Sequence, residues 1–576
     1  MKILFLTTAF NGMAQRLWIE LDRLNHPVYV QLATSGEAME EAVMKFKPHL
    51  IIAPYLKSKI PASIYEHYNC LIVHPGIIGD RGASSLDWAI LSGEKNWGVT
   101  ILQAVEKMDA GPIWSFQPFQ MRAVSKGQLY RNEVTQAAAK GILDALEKIE
   151  NKAYLPLAIE AFNHQRKGRW NNKVKQIDFA FDWTDKTSDI LIKIRAADSD
   201  PGVLIPLLGE QYYAFGGHRE GLLTGEVGTI LGQRNQAICV ATSDGAIWLT
   251  HLKPSAEKAI KLPSILVLGD NANDIKKRPL TPSDTPTYPT WQEIKCVQQG
   301  DIAYLHFDFY NGAMSTDQCL RLREALIKIK QTDARIIVLM GGEDVWSNGI
   351  HLNVIEAAEN PADESWANIN AIDDLILEII TSTDHYIIAA LQGNAGAGGV
   401  SLALAADKVL ARDGIVINPH TKNMGLYGSE YWTFLLPKRI GTKKATQFTE
   451  ECLPWGVHVA KEIGLIDDYH GQTNTEFVGF VQQEAQNIAQ LSYFDKLLKA
   501  KKFQRLKDER NKPLARYRAE ELEKMKANFY DNNHDYAFKR YCFVHKMANN
   551  KLTEDLFSSR RKIYRKRKWE SIEYNE

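Results

Sequence analysis

CLIVHPGIIGDRGASSLDWAILSGEKNWGVTILQAVEKMDAGPIW, residues 70–114, decides how this chain is read. Its first run, CLIVH, is apolar and of strand length. It places His74 where a strand ends and a Pro-Gly turn begins, a position from which a side chain can face a cleft. A second strand-like run, GVTILQAV, leads into a Met-Asp-Ala-Gly turn that holds Asp109. A His and an Asp brought together by two such turns can move protons, the carboxylate holding the imidazole in one tautomer. A histidine at a strand end fits an ordinary structural role equally well, and the pattern alone leaves both open.

On the N-terminal side, MKILFLTT, PVYVQLAT and PHLIIAPY are further strand-length runs, with helix-like stretches at residues 14–24 and 37–46. This alternation predicts a parallel sheet covered on both faces. The turn after the first strand, TTAFNGMAQR, lacks the G-x-G-x-x-G of a dinucleotide site. The start of the chain reads as a buried strand rather than a signal peptide. On the C-terminal side, EVGTILGQRNQAICVATSDGAIWLTHLKP shows short alternating strands and polar turns, the pattern of a small β-barrel. LTPSDTPTYPTWQ reads as a linker, and DIAYLHFDF, ARIIVLMGG and DHYIIAALQGN open a second α/β unit. Beyond about residue 474 the pattern is helical and charged, ending in the basic run RRKIYRKRK, which fits a solvated helix face or tail.

At 576 residues the chain exceeds what one core can organise. With Lys+Arg and Asp+Glu both at 69, no net charge directs it to nucleic acid or to anionic lipid. Six scattered cysteines, with no C-x-x-C, argue against a disulfide framework or a metal site and suit a reducing, cytoplasmic setting. Residues 385–407 carry no formal charge but are broken by Gln392, Asn394, Ser401 and four glycines. They predict a strand, a glycine loop and a buried helix rather than a membrane span.

The run H-P-G-x-x-x-x-R-G followed by W-A-I, G-V-T-I and D-x-G resembles the folate-dependent formyltransferase and formyltetrahydrofolate hydrolase superfamily. IDFAFDWTDKTSDILIKIRAADSDPGV resembles the start of the β-domain of methionyl-tRNA formyltransferases. The resemblance implies that His74 and Asp109 are a catalytic pair, that N10-formyltetrahydrofolate is the formyl donor, and that its pteridine lies near residues 50–55 and 98–101. The chain departs from that superfamily at Ile72, where an asparagine usually supplies an oxyanion donor. Either another donor substitutes, or the acceptor is a better nucleophile than an amine, such as a thiol.

Two turns in the second half, DVWSNGIHL and LQGNAGAGGVSLALAAD, each end an apolar strand. One backbone N–H from each can converge on a thioester oxygen. Glycines used only for close packing are the plainer reading of either turn alone. With GLYGSEYWTFLLPKRIG following, the two turns resemble the crotonase superfamily of acyl-coenzyme-A enzymes, which assigns the amides of Ile350 and Gly398 to an oxyanion hole. The two hydratase glutamates are replaced by Ser401 and Thr421, while Glu430 stands nearby as a candidate acid–base group or as a helix N-terminal glutamate.

The fused order, with GDRGASSLDWAI and NPHTKNMGLYGSEYW, resembles maturation factors of [NiFe]-hydrogenase. That resemblance implies formyl transfer to coenzyme A and decarbonylation of formyl-CoA to carbon monoxide. Gln15 and Arg131 would then line the passage of CoA, and Arg540 or Lys546 would contact its phosphates. Folate, CoA and hydrogenase maturation proteins are the expected partners. Release of formate, formylation of an amine and a non-catalytic folate- or CoA-binding module remain alternatives. The expected fold is α/β and multidomain: a formyltransferase-type Rossmann-like domain (1–170), a small OB-like β-barrel domain (171–275), a linker (276–295), a crotonase-fold domain (296–475) and a helical C-terminal region (476–576).

Overall fold

The computed structural model describes residues 1–151, 153–162, 167–531 and 533–547; the basic run RRKIYRKRK lies outside them. Contacts divide the described chain into two compact units. One is built from Met1–Asp182 and Ser188–Ile205, the other from Trp183–Thr187 and residues 206–547.

The first unit is organised by a six-stranded sheet: β1 (Ile3–Thr7), β2 (Val28–Leu32), β3 (Leu50–Ala53), β4 (Cys70–His74), β5 (Asn96–Gln103) and β6 (Ile113–Gln120), in the order β2-β1-β3-β4-β5-β6. The continuous apolar run of β1 is buried throughout, as a strand covered on both faces requires. β1 to β4 are parallel, as the alternation predicts, but β5 and β6 run antiparallel. β5 is reversed against β4 although the link between them, residues 75–95, is long and contains the helix Ser85–Leu91; β6 then follows β5 as a hairpin across a link too short for a crossover. The register sets His74 opposite Thr100 at the end of β4. The helix Thr135–Glu150 packs on β5 and β6, and a Cβ at Gly141 would crowd Ile101 of β5, so glycine permits a close approach there.

In the second unit, the strands Glu210–Glu220, Gly245–Pro254, Ala237–Thr242 and Ile230–Arg234 pair antiparallel in that order. The rest of this unit has two sheets. In the larger, Ile294–Gln299, Ile302–Phe307, Ile336–Gly341, Tyr386–Leu391, Lys408–Arg412 and Asp468–His470 lie side by side. The helices Thr316–Ile329 and Pro361–Ile380 share one core with this sheet, and Asn474–Ala489 closes the other face with Phe477, Val481 and Ala485. In the smaller sheet, Val345–Ser347 runs parallel to Asn394–Gly396, so the turns that follow both strands leave from the same end.

Residues 385–407 form a strand, a glycine turn and the buried helix Gly398–Leu404, and no described helix is long and apolar enough to cross a membrane. The C-terminal helices are less solvated than their charge suggests. Leu514, Met525, Phe529 and Tyr536 enter the main core of the second unit. All six cysteines are free.

Close backbone approach sets the smaller sheet. A Cβ at Gly393 would overlap the Asp344 carbonyl and the Val345 amide, whereas one at Gly479, inside the helix Asn474–Ala489, meets nothing. Gly393→Ala should therefore destabilise the protein by about 1–3 kcal/mol. Gly479→Ala should stabilise it by up to about 1 kcal/mol through helix propensity. Thermal unfolding of the two variants checks the opposite signs.

Candidate functional site

In the first unit, His74 is 4% exposed and its imidazole lies between two carboxylates. Its Nε2 is 3.0 Å from Asp80 Oδ2, and its Nδ1 is 3.7 Å from Asp109 Oδ1, an ion-pair separation longer than a hydrogen bond. The sequence pairs His74 with Asp109. The structure brings these two together but gives the direct hydrogen bond to Asp80, which sequence reasoning passed over inside GDRG. Asp109 Oδ2 instead accepts from the Gly82 N–H at 3.1 Å, anchoring its turn to the same loop, and its own backbone has a φ of +50°.

Several contacts fix that loop. Thr100 Oγ1 donates to the Gly76 carbonyl, and Ser85 Oγ and Trp97 Nε1 both donate to the Pro75 carbonyl. Gly76 is required here, because a Cβ would overlap His74 Nε2 and stand in the way of Asp80. Asn171 Nδ2 donates to Asp80 Oδ1 at 3.2 Å, so residues 167–174, which fold across the loop, complete the carboxylate's surroundings. Burial works against a charged imidazole. The Asp80 hydrogen bond and the charges of Asp109 and Asp80 outweigh it, and the His74 pKa lies above the ordinary histidine value. Ile72 packs its alkyl chain against Leu102 and Ile113 and offers no amide.

In the second unit, the turns carrying Ile350 and Gly398 meet. A Cβ at Gly349 would lie 3.1 Å from the Gly398 nitrogen. The amides around Ile350 are engaged: Asn348 N–H donates to the Gly312 carbonyl, Gly349 N–H to Ser347 Oγ and His351 N–H to Asn368 Oδ1. The N–H of Gly398 is at the first position of its helix, where no intrahelical acceptor exists. Among the described residues the amides of Ile350 and Gly398 have no acceptor, which leaves two donors at the junction of the turns.

Glu430 completes this junction. Its Oε1 lies so close to Gly398 that any Cβ there would overlap it, and among the described residues Oε1 has no hydrogen-bond partner; Oε2 accepts from the Ser429 N–H at 2.8 Å. Both Glu430 (φ +62°) and Tyr431 (φ +56°) are left-handed, a conformation that costs a non-glycine residue roughly 1–3 kcal/mol. Burial first, and then the charges of Asp373 and Glu521, push the Glu430 carboxyl up to about 8. The helix Trp432–Glu451 is capped not by Glu430 but by Glu521, which accepts from the N–H groups of Tyr431 and Thr433, each at 2.9 Å. Ser401 is buried in the helix after Gly398, and Thr421 sits in a short helical turn beside Gly428.

The residues read as CoA contacts divide between the units. Gln15 is on the helix Gly12–Arg23, which packs against the π-helical turn Tyr130–Val134 that contains Arg131. Arg540 is buried, with Nε 2.5 Å from Glu356 and the guanidinium over Tyr536. Lys546 follows the helix Tyr536–Val544 in a left-handed conformation. No group of His, Cys, Asp and Glu side chains able to hold a metal occurs among the described residues.

The two sites define the class: a formyltransferase joined to an enoyl-CoA hydratase-like unit. Family models agree, matching formyl transferase over residues 16–146, the formyl transferase C-terminal domain over 173–267 and enoyl-CoA hydratase/isomerase over 299–546. The chain is 42% identical to the hydrogenase maturation factor HoxX of Bradyrhizobium diazoefficiens, over 96% of each protein. It is 44% identical to HypX from Aquifex aeolicus, whose crystal structure in complex with tetrahydrofolic acid matches with a TM-score of 0.92 over 95% of this chain and 97% of that one. A methionyl-tRNA formyltransferase of Geobacillus is 25% identical over 43% of this chain and 78% of its own length. The chain belongs to the HypX/HoxX family of hydrogenase maturation factors.

His74 titration tests the first site. Asp80→Asn should lower the His74 pKa more than Asp109→Asn does, because only Asp80 hydrogen-bonds the ring as well as acting through its charge. Histidine-selective NMR of the full chain reads both shifts.

Proposed function

We propose that this chain makes the carbon monoxide used in [NiFe]-hydrogenase maturation, in two steps. In the first, the CoA thiol attacks the formyl carbon of N10-formyltetrahydrofolate. The new C–S bond replaces the C–N10 bond, and the thiol proton passes by way of His74 to the departing nitrogen, giving tetrahydrofolate and formyl-CoA. Asp80 and Asp109 favour the imidazolium that carries the proton. A thiol acceptor also suits a site with Ile72 where an oxyanion donor is usual.

In the second step, the Ile350 and Gly398 amides hold the thioester oxygen. Glu430, as a carboxylate, takes the formyl hydrogen as the C–S bond breaks, and then returns that proton to the CoA sulfur, leaving CO and free CoA. The observation that carries this reading is the placement of Glu430 Oε1 against Gly398; the resemblance to hydratases, which puts Ser401 and Thr421 at the positions of their glutamates, agrees with it. The family membership and the tetrahydrofolate held by the Aquifex aeolicus protein support it. On the first unit we assign Gln15 and Arg131 to the CoA arm. On the second we assign Arg540, oriented by Glu356, and Lys546 to its phosphates. The cytoplasm, where thiols stay reduced, is the setting we infer.

Purified protein given N10-formyltetrahydrofolate should release CO, read by haemoglobin absorbance, only when CoA is present. His74→Ala and Glu430→Gln should each reduce release by about 10²–10⁴-fold. With formyl-CoA supplied directly, His74→Ala should recover and Glu430→Gln should not. The Glu430-dependent rate should rise with pH through about 8, since the base is the ionised form. Formate in place of CO, or turnover indifferent to CoA, refutes the reading.

A further inference from the structure

We propose that Asp373 and Glu521 are positioning residues that clamp the turn at residues 429–433 and so hold the Glu430 carboxyl over Gly398. Asp373, on the helix Pro361–Ile380, is fully buried. It accepts from the Glu430 N–H at 2.8 Å and from Ser429 Oγ at 2.8 and 3.0 Å. Glu521, on the helix Leu514–Tyr530, is 1% exposed. It accepts from the N–H groups of Tyr431 and Thr433 and from Thr433 Oγ1. The two carboxylates thus grip the amides of Glu430, Tyr431 and Thr433, across the stretch where the backbone is left-handed.

Neutral acceptors could have satisfied the same amides without burying charge. What carboxylates add is a field. Arg518 reaches Asp373 only at 3.7 Å and pairs more closely with Asp374, and among the described residues Glu521 has no cationic partner. Both acids are pushed up by burial, Asp373 to about 6 and Glu521 to about 8, and both oppose ionisation of Glu430. The other titratable group coupled to Glu430 is the Cys319 thiol, on the helix Thr316–Ile329, which is neutral because burial raises its pKa. The clamp therefore sets both where the carboxyl of Glu430 sits and how strong a base it becomes once ionised.

The catalytic part of this inference rests on the role proposed for Glu430; the geometric part does not, and one set of variants separates them. Infrared titration of the full chain identifies Glu430 as the carboxyl absorption lost in Glu430→Gln. In Asp373→Asn its midpoint should fall, since a neighbouring negative charge is gone, and in Glu521→Gln it should fall by less, because Glu521 itself ionises only near about 8. An unmoved midpoint in both variants overturns the clamp, whatever the reaction proves to be. With formyl-CoA as substrate, kcat should fall by about 10²-fold in both variants with KM little changed, the size expected for a misplaced group, and the pH profile should move down with the infrared midpoint. If Glu430→Gln is inactive while both clamp variants keep the parental rate and pH profile, positioning is refuted and catalysis by Glu430 stands. If Glu430→Gln turns over like the parent, the catalytic reading fails and the infrared result still decides the clamp. Should Asp373→Asn not fold, Ser429→Ala removes one bond to Asp373 and no charge. Its kcat should then fall with KM unchanged, and an unchanged kcat overturns the proposal.

Discussion

Oε1 of Glu430 occupies the space that any side chain at position 398 would need, and much of the second unit is arranged around that contact. The carboxyl can sit there only because the backbone at 430 and 431 is left-handed, because residue 398 is glycine, and because the strands before Asn348 and Ala397 run parallel and adjacent. Each condition brings its own requirement. Left-handed backbone at a glutamate and a tyrosine needs its amides held from outside the turn. A parallel pair this close needs Gly393 and Gly399, where a Cβ would collide with the backbone of the facing strand. The C-terminal helices belong to the same set of constraints, since Glu521 and Met525 reach residues 428–433 from a stretch that reads, in sequence, as helical and strongly charged.

The two sites use one physical device with opposite results. Around His74, two carboxylates face an imidazole, and their charge favours the protonated ring in spite of burial. Around Glu430, two carboxylates face a third, and their charge adds to burial in favouring the neutral acid. In water either effect would be small. In a buried site the same charges shift a proton affinity by large factors, and they do so without any group having to reorient when the proton moves. The raised His74 proton affinity suits a ring that carries a proton between two atoms of its own site, and the raised Glu430 proton affinity makes its ionised form a stronger base.

How much of this could be read from the sequence depends on distance along the chain. His74, Asp109 and the strands that carry them lie within one stretch of some forty residues, and their order in HPGIIGDRG and MDAGP is enough to place them at neighbouring turns. The glycine turns after apolar strands marked close backbone approach, but Ile350, Gly398 and Glu430 were singled out only through the resemblance to the crotonase superfamily. Asp80 was not legible, because an aspartate beside an arginine in a glycine-rich loop looks like surface polarity until the loop is seen to fold back under the imidazole. Asp373 and Glu521 were still further out of reach. They are 57 and 90 residues from the amides of Glu430 and Tyr431 they accept from, and each sits on an amphipathic helix where an acid is ordinary. The antiparallel turn of β5 and β6 was missed because an apolar run fixes a strand but not its direction.

On the resemblance to the hydratases, Ser401 and Thr421 stand where those enzymes carry their two glutamates, and the proposed reaction needs neither. Adding water to an alkene thioester takes two acid–base groups, one to activate the water and one to deliver a proton. Splitting a formyl thioester into CO and a thiol, as proposed, moves a single proton from carbon to sulfur, and the reaction that competes with it is attack by water on the same carbonyl. A second carboxylate near the oxyanion hole would serve that competing hydrolysis. Ser401 is buried and is a poor base, and the hydroxyl of Thr421 lies beside Gly428. In the proposed reaction the one buried carboxyl beside Gly398, with Asp373 and Glu521 holding the amides of its turn, would supply the single base that the proton transfer from carbon to sulfur requires.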